Sequence, residues 1–268
     1  MKRLSLTALA LACAAGSASG SEAEQEIAKQ AQNPVAYLGG LSLTNETSFG
    51  LGLRNRTGNL FELRGAVPFG GPWSTAVVAR ATLPFPWVPV EYASRGGSFG
   101  VGDISAEAFF TPPEQRVVSW GLGPSLRFPT AGDTYLGGHK WLAGPALAVV
   151  ATPGALVLGF SAANLWSYAG SKRYRDVNQM ELRPILAVHF GSAWSIVSSP
   201  LVVADWGAVT GDRWRVPVGA GVSRLFGLGG ARVALSLEGY VPVVQPKSAS
   251  RPDFELRLQA SFVFPPSR

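Results

Sequence analysis

The chain is poor in the residues that usually carry chemistry. Among its 268 residues are one cysteine, two histidines and two methionines. The cysteine, Cys13, lies in an apolar N-terminal stretch, so a chain cut after that stretch has no thiol. That excludes a disulfide framework, a thiolate nucleophile and a cysteine-based metal site. Charge is scarce as well. Asp, Glu, Lys and Arg make up 15% of the chain, and the net charge of +6 is too mild to argue for a nucleic acid partner. Beyond the first twenty residues, no window approaches the ~18 uncharged apolar residues of a membrane-crossing helix. If this chain crosses a bilayer it does so with strands, because only helices and closed barrels satisfy every backbone polar group in hydrocarbon.

The N-terminus supplies a compartment. Lys2 and Arg3 precede an apolar run from Leu4 to Ala15, and Ala18-Ser19-Gly20 offers small residues for cleavage. This is the layout of a secretory signal peptide over residues 1–20. The run is too short to span ~30 Å of hydrocarbon, and Ala10-Leu11-Ala12 is a poor lipobox before Cys13. Residues 21–34 then read as a polar helix ended by Asn33-Pro34. It rests in the periplasm or plugs the domain that follows. Residues 35–268 form that domain.

There the periodicity becomes two. Three times a Glu and an Arg flank a leucine: Glu62-Leu63-Arg64, Glu181-Leu182-Arg183 and Glu255-Leu256-Arg257. In a strand, residues i and i+2 share a face, so each charged pair takes one face and its leucine the other. In the last copy Phe254, Leu256, Leu258, Ala260, Phe262 and Phe264 oppose Glu255, Arg257, Gln259 and Ser261. An apolar wall backed by a charged wall is the pattern of an all-β transmembrane antiparallel barrel, with lipid outside and a polar lumen. About twelve strands are expected, near 35–44, 60–69, 73–85, 98–110, 116–129, 140–151, 155–168, 177–190, 194–206, 213–226, 231–244 and 253–264. The strands near Asn164 and from Ile196 to Trp206 alternate poorly, which suggests a bulge or a shifted register.

Tight turns (Gly70-Gly71-Pro72, Thr111-Pro112-Pro113, Pro153-Gly154, Gly191-Ser192 and 227–230) alternate with longer polar loops near 45–59, 86–97, 130–139, 169–176, 207–212 and 245–252. Short turns and long loops in alternation are the plan of an outer-membrane barrel. Trp73, Phe85, Trp87, Phe128, Trp141, Trp166, Tyr168, Trp194, Trp206, Trp214, Phe226 and Phe264 cluster at strand ends, as interfacial girdles require.

In this register the lumen-lining ionisable residues are Glu62, Arg64, Arg80, Asp103, Glu107, Arg127, Glu181, Arg183, His189, Arg213, Arg215, Arg232, Glu238, Glu255 and Arg257. A charge facing lipid at the midplane would cost about 2–4 kcal/mol, which drives them inward. They either brace the barrel as cross-strand ladders or orient a small polar or anionic solute. His139 and His189 fall at opposite rims of the apolar band, so they cannot share a metal, and neither has an evident Ser and Asp or Asn at its level. No catalytic residue, cofactor or metal is expected. The outer loops lean basic (Arg54, Arg56, Arg95, Lys172, Arg173, Arg175, Lys247, Arg251), which suits lipopolysaccharide phosphates.

The stretches 33–50, 99–104, 123–130, 140–145, 164–170, 176–180, 216–222 and 254–265 resemble a family of bacterial outer-membrane β-barrels described as transporters and named for the MetA pathway of phenol degradation. The resemblance implies an outer-membrane location, recognition by the barrel-assembly machinery, and a transport role for small hydrophobic or aromatic solutes. It implies no catalytic residues. It departs at the end, where Phe264 is followed by Pro-Pro-Ser-Arg and not by the chain terminus. The expected protein is a monomeric barrel in outer-membrane lipid that passes small solutes through a charged, partly occluded lumen. The alternative is a non-conducting structural barrel whose loops contact lipopolysaccharide.

Overall fold

A computed structural model describes residues 22–264, except 37, 73–74, 91–95, 115–116, 191–192, 229–230 and 248–250. The expected signal peptide therefore lies outside the described residues, as does Trp73. One helix, α1 (Glu22–Gln32), is followed by fourteen strand segments. These are β1 (Gly39–Leu51), β2 (Arg56–Gly70), β3 (Ala76–Val88), β4 (Ser98–Phe99), β5 (Ser105–Thr111), β6 (Val118–Arg127), β7 (Lys140–Ala151), β8 (Leu156–Gly170), β9 (Asn178–Phe190), β10 (Trp194–Ser198), β11 (Val202–Asp205), β12 (Trp214–Leu228), β13 (Ala231–Val244) and β14 (Phe254–Phe264). No helix among the described residues is long and apolar enough to cross a membrane.

The segments form twelve antiparallel staves, because β4 with β5 and β10 with β11 are single staves interrupted once. β4 and β5 both pair with β3, and β10 and β11 both lie between β9 and β12. Neighbouring staves follow chain order, and β14 returns to β1 from Gly39↔Phe264 to Phe49↔Phe254, closing the barrel. Closure leaves no sheet edge, which is the condition for strands in hydrocarbon.

The outer wall is apolar. In β14 Phe254, Leu256, Leu258 and Phe264 are exposed, while Glu255 and Arg257 keep 2% and 5% of their surface. In β9 Leu186, Val188 and Phe190 face out, and Ile185, Ala187 and His189 face in. Trp87, Trp141, Trp166, Tyr168, Trp194, Trp206 and Trp214 stand exposed at strand ends. A charged side chain on β12 also faces outward. Arg224 lies between the rings of Trp194 and Phe226, 5.2 and 5.0 Å from their centroids, close to the β12–β13 turn. Its aromatic neighbours and its place near an interface ease a charge that mid-wall hydrocarbon would not.

The expected loop over residues 45–59 is corrected to a turn of residues 52–55. Its polar sequence misleads because Asn45, Thr47 and Asn59 bond one another across β1 and β2, while Glu46 is taken up by Arg257. Polarity here marks satisfied strand residues. The poorly alternating ninth stave is broken at residues 199–201, where Pro200 has no N–H for the ladder.

Two seams are thinned. Pro124 of β6 faces Pro145 of β7, each preceded by a glycine. The ladders beyond them lapse at the same level. The β5–β6 pairing skips from Glu107↔Ser125 to Phe110↔Leu122, and β7–β8 skips from Ala143↔Trp166 to Ala146↔Ala163. Glycine is required for this approach, since a side-chain carbon on Gly144 would lie 1.7 Å from the Asn164 carbonyl oxygen. Gly144→Val should therefore refold poorly, seen as loss of the fast-migrating unboiled band on a denaturing gel. Gly132→Val, whose new carbon would meet nothing within 4 Å, should refold like the parent.

Candidate functional site in the barrel interior

The three Glu-Leu-Arg triplets sit on β2, β9 and β14. All three strands run from the long-loop end of the barrel toward the short-turn end. Each glutamate is thus one inward step nearer the loops, and each arginine one step nearer the turns. Within each triplet the two charges are thus staggered along the barrel axis.

Partners are chosen mostly across strands and across the interior. Arg127 Nη2 on β6 reaches Glu181 Oε1 on β9 at 2.8 Å, past two intervening staves. Arg257 holds Glu46 with Nε and Nη2 at 3.0 and 2.8 Å, and its Nη1 lies 4.0 Å from Glu238. Arg215 is bonded to Glu255. Arg80 pairs with Glu107 at 3.6 Å, and Arg64 with Glu62 at 3.7 Å. Ten of the expected interior residues are joined in these pairs. Arg183 donates instead to the Ser199 carbonyl at 3.1 Å.

Ser199, in the broken stave, is where the lattice converges. Its carbonyl also accepts Arg257 Nη1 at 2.9 Å, and its N–H donates to Tyr240 Oη at 2.9 Å. The Tyr240 hydroxyl donates in turn to Glu238. The backbone of Ser199 is therefore tied to the neighbouring β9 and, past β12 and β13, to β14.

Three expected residues lie elsewhere. Arg213 precedes β12 and spends its Nε on the Ala208 carbonyl of its own loop. Asp103 precedes β5 and accepts the N–H groups of Ala131 and Gly138, pinning the next long loop. Arg232 lies beside Gly227 at the turn end, with Nε buried and without a hydrogen-bond partner. Glu46 and Ser199 were not anticipated, and Tyr240 was not counted among the lumen-lining groups. Tyr240 shares the inward alternation of Glu238 and could have been found, whereas Glu46 was hidden in an apparent loop. His189 has one member of a Ser and Asp or Asn arrangement, a serine at its level. Ser195 Oγ lies 2.7 Å from its Nδ1, and its Nε2 has no partner.

The turn end is filled from within. Ile27 and Ala28 of α1 pack on Leu225, Ala234 and Ala193. Val35, fully buried, sits among Phe109, Ala146, Ala148 and Ala163. Above this plug is a chamber of about 160 Å³. Its walls include Arg64, Arg80, Arg183, Ser42, Ser161, Ser199, Gln259 and Ser261, and its floor includes Gln30 and Asn33. No metal-binding group of His, Cys, Asp and Glu occurs among the described residues.

At the loop end, buried Lys140 Nζ donates to exposed Asp176 Oδ1 at 2.8 Å. Arg175 pairs with Asp205, and the His139 ring stacks on Tyr174 with 4.3 Å between centroids.

No protein-family model matches the chain, and no curated protein matches its sequence. Among solved structures it is similar to an outer membrane channel from Pseudomonas putida F1, with TM-score 0.62 and 16% identity over 85% of this chain and 94% of that one. It is also similar to the NanC porin, with TM-score 0.53 and 8% identity over 85% of this chain and 99% of that one. Outer membrane phospholipase A from Escherichia coli aligns at TM-score 0.45 and 12% identity over 90% of this chain and 98% of that one, a likeness too low to bear on chemistry. The shared property is the fold: this chain is an outer-membrane β-barrel, membrane-embedded, on the plan of channels and porins.

Two predictions test the lattice and the loop. Removing Arg257 leaves buried carboxylates unpaired, so Arg257→Ala should lose about 3 kcal/mol of stability, measured by urea unfolding in micelles. Asp176 is held below the usual carboxylate range, chiefly by the hydrogen bond from the Lys140 ammonium and then by its charge. A lowered folded-state value means that its contribution is present above the ordinary carboxylate pKa of about 3.9 and is lost as pH falls through the folded value. Amide exchange in residues 171–177 should accelerate in that acid range. Asp176→Asn should mimic this at neutral pH, with faster tryptic cleavage at Lys172 and Arg173.

Proposed function

We propose that this protein is a monomeric passive channel for small solutes in the bacterial outer membrane, with a charged lumen occluded in this conformation by residues 22–36. The observation that carries the reading is the polar chamber held between a packed plug and the ionic lattice. A barrel built only for rigidity needs no such void, and interiors rarely leave one. A lumen of twelve staves is wide enough to leave a path once the plug shifts. The hydrophobic or aromatic character of the solute rests on the family resemblance alone. The arginine-lined wall supports a polar or anionic head group. In this reading the chain is not an enzyme. His189 and Ser195 form a buried hydrogen bond without an acidic third member, and they brace the wall beside α1.

A second reading draws on the lattice itself. The bonds of Arg257 and Arg183 to Ser199 brace the broken stave against β14 and β9, as a non-conducting barrel would. Exposed Lys172 and Arg173 on one long loop would then meet lipopolysaccharide phosphates. Under both readings the barrel-assembly machinery inserts the chain.

Planar-bilayer recording of the refolded protein separates the two. The channel reading expects small steps from the parent protein and severalfold larger steps when residues 22–32 are removed, with a reversal potential of anion-selective sign under a salt gradient. A barrel that refolds, shown by its gel shift on heating, and stays silent in both forms would favour the second reading.

A further inference from the structure

The chamber above the plug has an unbalanced wall. Three arginines line it, Arg64, Arg80 and Arg183, and no Asp or Glu does. Two of the three are compensated from behind, Arg64 by Glu62 and Arg80 by Glu107. Arg183 has no carboxylate at ion-pair distance among the described residues, and its bond goes to a neutral carbonyl. A guanidinium has five donor hydrogens in a planar fork, so most of this one's capacity is unspent. Neutral donors stand around it in Ser161, Ser261 and Gln259, and Ser161 is directly opposite Arg183 across the β8–β9 ladder.

We propose that this chamber is a binding subsite for a single carboxylate, the head group of a small organic acid, with Arg183 as its direct partner. One uncompensated guanidinium matches one negative charge, and its fork matches a carboxylate bidentately. At roughly 10–15 Å³ per enclosed water, the space is on the scale of an acid with one small ring or a short chain. Arg64 and Arg80 add positive field without being released from their glutamates. The subsite rests on the channel reading and deepens it, since it places the ligand in the lumen beside the plug.

Equilibrium dialysis of the full-length barrel in detergent against labelled benzoate tests the subsite without any conductance measurement. Benzyl alcohol, of similar shape and no charge, is the comparison. One saturable benzoate site is expected, with much weaker uptake of the alcohol. Arg183→Gln should weaken benzoate about tenfold or more, while Arg173→Gln on the exposed loop should not change it. If Arg183→Gln fails to fold, Ser161→Asp decides the matter. It hands Arg183 an internal carboxylate, so it should abolish benzoate binding and raise the melting temperature together. Equal binding of acid and alcohol, no saturable site in the parent protein, or unchanged benzoate affinity in Ser161→Asp would each overturn the proposal. Saturable binding in a protein silent in bilayers would keep the subsite and remove the channel. Conductance without binding would do the reverse.

Discussion

The interior depends on the backbone of one residue. Ser199 lies where the ninth stave gives up its ladder, and a strand that stops pairing exposes polar backbone groups that must be met elsewhere. Here its carbonyl takes two guanidiniums and its N–H goes to a tyrosine hydroxyl. A backbone defect in one stave thereby becomes the anchor for charged side chains from the neighbouring β9 and from β14. Buried guanidiniums are tolerable only when their donors are occupied, and the break supplies an acceptor that no intact strand could have pointed inward. The position of Pro200 next to Ser199 therefore governs more than local geometry, because it places the acceptor on which Arg257 and Arg183 converge.

Below this level the contents change in kind. The turn end is packed by α1 and Val35 with small apolar partners, including Ala146, Ala148 and Ala163. The middle is ionic, and the chamber lies between them. The sequence alternation that sends leucines to lipid is indifferent to depth, so the vertical division comes from which inward residues are alanine or valine and which are Glu or Arg. At the loop end a different economy holds, with Asp103 and the Lys140–Asp176 pair fixing loops instead of lining a path.

Much of this was legible before any coordinates. Period-two alternation, even stave count and turn asymmetry located the staves after the first to within a few residues, because a lipid-facing wall forces strict apolarity on every second position, whereas β1 runs on to Leu51 through what read as a loop. The Glu-Leu-Arg triplets disclosed which face was inward. What could not be read were features set by partners far away in sequence. Glu46 and Asn45 appear to belong to a loop until β14 and β2 are placed beside them. Arg213, two residues before Arg215, shares its alternation but falls outside the strand, since alternation does not announce where a strand ends. The missing carboxylate beside Arg183 is likewise invisible in the triplet Glu181-Leu182-Arg183. The neighbouring glutamate looks like its natural partner in sequence, yet Glu181 is claimed by Arg127 from three staves away.

The common direction of β2, β9 and β14 also has a mechanical meaning. Each Glu of the triplets stands one inward step nearer the loops than its Arg, so the charges enter the interior with one shared offset. Partners then come from other staves: Arg127 of β6 answers Glu181 of β9, and Arg215 of β12 answers Glu255 of β14. Neither pair shares a ladder, so each acts as a chord under an arc of the wall. Chords of this kind hold a ring of strands against flattening, and the repeated tripeptide supplies their ends.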